Sequence, residues 1–183
     1  MNNEIVINMK DQIFLGDILD IGSDNYGVIY KIYKNNNSDF NVEYLDNKEQ
    51  FNEIKHSSYD TCVMFLSFSS IVLKSNKKKF MKKIYDYLKE DGIVYIWDID
   101  KGYGRIFNNK IKVTMLNDVE KEINFKEFNI LKNSSLNSIK DVLNNFFDII
   151  ESRCLNRVYY IKARKRRRND YGKIESITGG DKL

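Results

Sequence analysis

The 183-residue, 21.7 kDa chain is 42% hydrophobic and 31% charged, which excludes disordered and collagen-like architectures and fits one globular domain. Its net charge is +4, but the segment from Lys162 onward holds eight Lys or Arg against three Asp or Glu, so that segment carries +5 and the rest −1. A near-neutral body argues against a nucleic-acid enzyme with a broad cationic groove. Two cysteines, Cys62 and Cys154, and one histidine, His56, give neither a disulfide framework nor a metal-ligand set. No run reaches the roughly 18 to 20 apolar residues of a membrane span, and the N-terminus lacks the pattern of a signal peptide. A soluble cytoplasmic protein without metal or membrane association is the expectation.

Along the chain, short apolar runs alternate with helical patterns, the signature of a parallel α/β sheet. Residues 4–13 place Ile5, Met9 and Ile13 at helical spacing and predict a leading helix. Asp17 to Ile21 follows as a first strand closed by Gly22, and Tyr26 to Lys34 as a helix ended by Asn35-Asn36-Asn37-Ser38. Asn41 to Asp46 predicts the second strand, Lys48 to Ile54 a brief helix, and Thr61 to Phe68 a central strand buried on both faces. From Ser75 to Glu90 the repeat of Phe80, Ile84 and Leu88 predicts a helix that turns Lys77, Lys78, Lys79, Lys82 and Lys83 to solvent and stops at Asp91-Gly92.

Ile93 to Asp98 predicts another buried strand. Ile111 to Leu116 and Glu122 to Phe128 predict an antiparallel ribbon turning near Asn117-Asp118. A helix over Ser138 to Phe147 leads into two strands, Asp148 to Cys154 and Arg157 to Ala163. Their link is too short for a parallel crossover, so they must be antiparallel.

In such sheets a ligand sits at the carboxyl ends of the central strands. Gly22, Asp24 and Gly27 have the spacing of a dinucleotide fingerprint, but Asp24 stands where backbone should approach a pyrophosphate and would repel it. A ligand with a positive centre and no phosphate meets no such objection, and S-adenosylmethionine is of that kind.

The run Ile18-Leu-Asp-Ile-Gly22, the acid Asp46 ending strand two, Tyr59-Asp60 opening an apolar strand, Leu88-Lys-Glu-Asp-Gly92 before the next strand, and the closing hairpin resemble class I S-adenosylmethionine-dependent methyltransferases. The resemblance covers residues 14 to 163. It implies a Rossmann-like sheet, mostly parallel, with a C-terminal antiparallel hairpin and a truncated strand 3 edge. The implied domain spans 1–163, with 106–130 an inserted β-ribbon and candidate substrate cap, and 164–183 a basic flexible tail.

By the same resemblance, Asp20, Gly22, Ser23 and Asp24 lie beside the methionine part of the cofactor, Asp46 binds the ribose hydroxyls, and Leu66 and Ser67 lie beside the transferable methyl. Two of the family's three motif glycines are replaced, and only 14 residues separate Asp46 from Asp60. An alternative alignment makes Asn41 to Asp46 the third strand.

Each of these residues also has a plainer reading. Gly22 suits an ordinary strand-to-helix turn, and Asp24 and Asp46 suit helix-terminal acids. Asp98 and Asp100 are weak catalytic candidates, as base or substrate-orienting groups, against a reading as solvated strand-end acids. The implied function is methyl transfer from S-adenosylmethionine, leaving S-adenosylhomocysteine, to a small-molecule or protein acceptor. The alternatives are an inactive, partner-binding member of the fold and a nucleic-acid methyltransferase using the tail. The Asn/Asp-Pro-Pro-aromatic motif of amino-directed base methylation is impossible in a chain without proline.

Overall fold

A computed structural model describes residues 4–22, 26–36, 42–45 and 54–167. Its centre is a six-stranded sheet assembled from β2 (Ile18–Ile21), β3 (Val42–Leu45), β4 (Tyr59–Phe65), β5 (Leu88–Ile99), β8 (Phe147–Leu155) and β9 (Val158–Lys165) in the spatial order β3-β2-β4-β5-β9-β8. Strands β3, β2, β4 and β5 are mutually parallel, while β9 and β8 return antiparallel.

The nearly continuous apolar sequence of β4 follows from its place in the middle. Cys62 and Met64 enter the core on one face and Val63 and Phe65 the core on the other, so from Thr61 to Phe65 no position is left for a solvent-facing side chain. In β5, Val94 and Ile96 alternate in the same way with Tyr95, Trp97 and Ile99.

The first face is covered by α2 (Lys74–Tyr87) and α3 (Leu136–Leu143). Met81, Ile84, Tyr85 and Tyr87 make the apolar stripe of α2, and Ile139, Val142 and Leu143 that of α3. The second face is covered by α1 (Val28–Asn36) together with a three-stranded sheet, β1 (Ile5–Asn8), β6 (Phe107–Thr114) and β7 (Glu120–Glu127), in the order β1-β6-β7.

The ribbon β6–β7 is antiparallel as expected, with Asn117 and Asp118 of its turn both at positive φ. Residues 4–13, however, form a strand rather than a leading helix: β1 pairs in parallel with β6, Ile5 against Ile111 and Ile7 against Val113. Ile5, Ile7 and Met9 are buried, while Val6 and Ile13 are 51% and 56% exposed. The period is therefore two, and a spacing of four satisfies both patterns until Ile13 is placed.

The Ser75-to-Glu90 helix is also corrected at its end. Helix α2 stops at Tyr87, Leu88 already pairs with Tyr59, and Asp91 rather than Gly92 takes the positive φ. The amides of Ser57 and Ser58 take up the last carbonyls of the helix, those of Asp86 and Tyr87. Strands β8 and β9 meet at Asn156-Arg157, both at positive φ, which is the two-residue turn that suits the right-handed twist of a hairpin. Strand β9 runs to Lys165, and the Arg166 guanidinium bonds to Asp148 and to the carbonyl oxygen of Asn144, so ordered structure continues past residue 163. Of the expected helix Lys48 to Ile54, only Ile54 lies within the described residues, where it is buried.

At the amino edge the three central strands are tied by charge. The Asp17 amide donates to the Asp60 carboxylate at 2.9 Å, and Lys89 Nζ bridges Asp60 at 2.7 Å and Asp17 at 3.2 Å. Gly16 precedes this knot at a φ of 70°, and a Cβ there would overlap the Asp60 carboxyl group. Gly16→Ala is therefore expected to cost about 2 kcal/mol through backbone strain and displacement of Asp60. Urea unfolding measures it, and an unchanged midpoint would contradict the assignment.

Candidate functional site

The four parallel strands end together. Ile21 lies in register with Leu45 on one side and Met64 on the other, and Met64 with Ile96. The carboxyl edge therefore presents Gly22 after β2, Leu66 and Ser67 after β4, and Asp98 near the end of β5. Strand β3 pairs directly with β2, so Val42–Leu45, within the expected Asn41 to Asp46, is the strand beside the first one and not a third. Among the described residues no strand lies beyond β3. Ser23, Asp24 and Asp46 fall outside the described residues.

Asp20 is fully buried in β2. Its charge acts on the Cys62 thiol of the neighbouring strand, which burial first and Asp20 second push well above its ordinary pKa. At the end of β4 the chain turns through Leu66 at a φ of 52°, while the Leu66 amide still donates to the Trp97 carbonyl at 2.7 Å. A non-glycine residue held in the left-handed region directly after a central strand aims the following residues away from the sheet. The Oγ of Ser67 is buried and has no hydrogen-bond partner. Buried hydroxyls without partners are uncommon, and one at a strand's carboxyl end fits a polar ligand group.

Asp98 is fully buried, which corrects its reading as a solvated acid. Its carboxylate accepts from the Ser69 amide at 2.6 Å and the Ile99 amide at 2.7 Å. Burial raises its pKa, opposed by these amides and by Lys77. Asp98 thus staples the turn Phe68–Ser70 to the end of β5. Asp100 accepts from the Leu136 amide at 2.9 Å and from the Cys154 thiol at 3.6 Å, holding the first turn of α3 against β8. Burial and then Asp100 push the Cys154 thiol up to about 11.

The sequence reading missed two buried lysines beside these acids. Lys77, expected on the solvated face of α2, is buried. Its Nζ donates to the Asn133 carbonyl at 2.8 Å and lies 5.5 Å from the Phe68 ring centre. Lys101 is equally buried, donating to the carbonyls of Asn129 at 2.7 Å and Lys132 at 3.0 Å. The Ser134 amide returns to the Lys101 carbonyl at 2.7 Å. Two ammonium groups thereby hold the segment 129–134 over the carboxyl edge. The available signal was spacing: Lys77 precedes Met81 by four and Ile84 by seven, on the apolar stripe itself.

No family model and no curated protein matches the chain. Solved structures do. An S-adenosylmethionine-dependent methyltransferase from Clostridium acetobutylicum superposes with a TM-score of 0.55 at 12% identity, covering 85% of this chain and 86% of that one. A Methanosarcina mazei S-adenosylmethionine-dependent methyltransferase gives 0.54 at 14%, covering 83% and 94%. The Burkholderia thailandensis 1,6-didemethyltoxoflavin-N1-methyltransferase, solved with 1,6-didemethyltoxoflavin and S-adenosylhomocysteine bound, gives 0.53 at 14%, covering 82% and 71%. The chain has the fold of the class I S-adenosylmethionine-dependent methyltransferases, mixed α/β with a mostly parallel sheet closed by an antiparallel hairpin.

Burial lowers the Lys77 pKa from 10.5 to about 8, against the opposing attraction of Asp98. The folded state thus loses the proton before the unfolded chain does, so the cost of the buried ammonium is fully present below pH 8 and is relieved between pH 8 and 10.5. Over that window wild type should gain up to about 3 kcal/mol relative to Lys77→Met. Paired urea titrations at several pH values measure this, and a difference independent of pH would contradict it.

Proposed function

We propose that this chain is an S-adenosylmethionine-dependent methyltransferase acting on a small-molecule or protein acceptor. The observation that carries the reading is the carboxyl edge itself: parallel strands ending together, a buried acid at the first strand end, and the fold shared with enzymes that use this cofactor. The residues present fit the group, since the buried, unpartnered Ser67 hydroxyl lies where a ligand would meet β4.

In this reading Asp20, Gly22, Ser23 and Asp24 form the turn beside the methionine part, where acidic groups suit an ammonium and a sulfonium. Asp46, following the strand next to the first, accepts from the ribose hydroxyls. Leu66 and Ser67 form the wall beside the methyl group. Held by these residues, S-adenosylmethionine would supply an electrophilic methyl carbon on its sulfonium, with S-adenosylhomocysteine as the product.

The protein's task is then to exclude water and to align the acceptor, and positioning alone supplies a large part of such a rate. Asp98 and Asp100 serve as positioning residues, because both carboxylates are occupied by backbone amides that fix the walls of the edge. The ribbon, residues 106–130, is the substrate cap. Exposed Tyr103, Ile106, Phe128, Ile130 and Leu131 flank the two ends of the ribbon, which the Gly104 amide joins by donating to the Ile130 carbonyl at 2.9 Å, and they favour an acceptor with an apolar body.

Both cysteines are free, as suits a reducing cytoplasm, and among the described residues no helix is long and apolar enough to cross a membrane.

Calorimetric titration with S-adenosylmethionine and S-adenosylhomocysteine tests the proposal. Saturable binding is expected, weakened at least about tenfold by Asp46→Ala through loss of the ribose hydrogen bonds. A well-folded protein that binds neither ligand at millimolar concentration would overturn it.

A further inference from the structure

Among the described residues strand β8 is an open edge of the main sheet, and its sequence differs from that of an edge built to stay single. The other long edge, β7, carries Glu120, Lys121, Glu122, Lys126 and Glu127, with Glu120 and Glu122 paired to Lys112 and Lys110 of the adjacent strand. Such charges discourage edge-to-edge pairing. On β8, Ile150 is 49% and Leu155 69% exposed, Cys154 is exposed, and the only charged groups from Ile149 to Leu155 are Glu151 and Arg153.

Two copies of one strand paired about a two-fold axis perpendicular to the sheet bring only same-face residues opposite each other. Centring the axis on Glu151 or on Arg153 sets like charges face to face. Centring it on Ser152 sets Glu151 opposite the partner's Arg153 and Arg153 opposite the partner's Glu151. Within one chain Glu151 and Arg153 are only loosely paired, at 3.8 Å, and both side chains are solvent-accessible. The Arg153 guanidinium lies over the Tyr160 ring at 4.8 Å, which holds it extended along this face.

We propose that β8 pairs with β8 of a second copy of this chain, antiparallel and centred on Ser152, joining two six-stranded sheets into one. The bulge at Ile150, between Ile149 and Glu151, bends the strand at one end and centres the pairing on the regular stretch from Glu151 onward. The interface lies at the opposite end of the sheet from β2 and β3, so it stands or falls independently of the cofactor reading.

Analytical ultracentrifugation of the full chain tests it by charge reversal. Wild type sediments as a concentration-dependent dimer. Glu151→Arg faces arginine with arginine twice and raises the dimer dissociation constant by about tenfold or more, whereas Glu151→Arg combined with Arg153→Glu restores it. Because the reversed double variant must regain dimerisation, misfolding of the single one cannot imitate the result. In a Cys154→Ser background, Ser152→Cys cross-links to its own copy under mild oxidation. A wild type that stays monomeric at about 100 μM, a concentration at which a dimer of micromolar dissociation constant is largely formed, overturns the proposal. So does a dimer that ignores charge reversal and fails to cross-link through position 152.

Discussion

Strand β4 is hydrogen-bonded in parallel to β2 on one side and β5 on the other, and the remainder of the molecule follows from that ladder. A strand paired on both edges buries both faces, and from Cys62 to Phe65 β4 is apolar on each, so two layers are required to cover it. One layer is helical, α2 with α3. The other combines α1 with the small sheet, whose ribbon is inserted between β5 and α3. Parallel pairing also makes the strands end at one edge, and it does so whatever the loops contain. The carboxyl edge is therefore a consequence of the ladder and not of any single motif.

The two edges of the sheet handle charge differently. At the amino edge Asp17, Asp60 and Lys89 form a partly exposed knot, where solvent screens the charges and geometry matters more than energy. At the carboxyl edge Asp98, Lys77 and Lys101 are buried, and each is satisfied by backbone groups of a neighbouring loop. Buried charges are costly and hold only where their hydrogen bonds are complete. Placing them here fixes loops that regular secondary structure leaves free, and those loops form the walls of the proposed site. The same residues explain why the segment 129–134 lies close to the sheet although it contains no helix or strand.

Much of this architecture was legible. Alternation of apolar runs and helical stripes gave the order of elements, the short link before Arg157 required the antiparallel closure, and Asp20-Ile-Gly22 marked the first carboxyl end. The leading strand was not legible, because Ile5, Met9 and Ile13 satisfy a helical period and only long-range pairing with β6 decides against it. Nor were the buried lysines. Charge suggests solvent, and a lysine's burial depends on which loop carbonyls reach it, information that local sequence does not contain. Asp98 misled for the same reason: its amide partners, Ser69 and Ile99, are set by how β4 and β5 end. The turn at Leu66 carried no glycine to announce its positive φ.

The central claim is that the carboxyl edge of β2 and β4 is the ligand-binding edge. Hydrogen–deuterium exchange with and without S-adenosylhomocysteine tests it most directly. A second cleft, lined by His56, Asp91 and Arg167, opens at the amino edge; protection concentrated in peptides spanning Ile18 to Gly22 and Leu66 to Ser69, with that cleft unchanged, is the expected result. Protection at that amino-edge cleft, or none at either edge under saturating ligand, would contradict it.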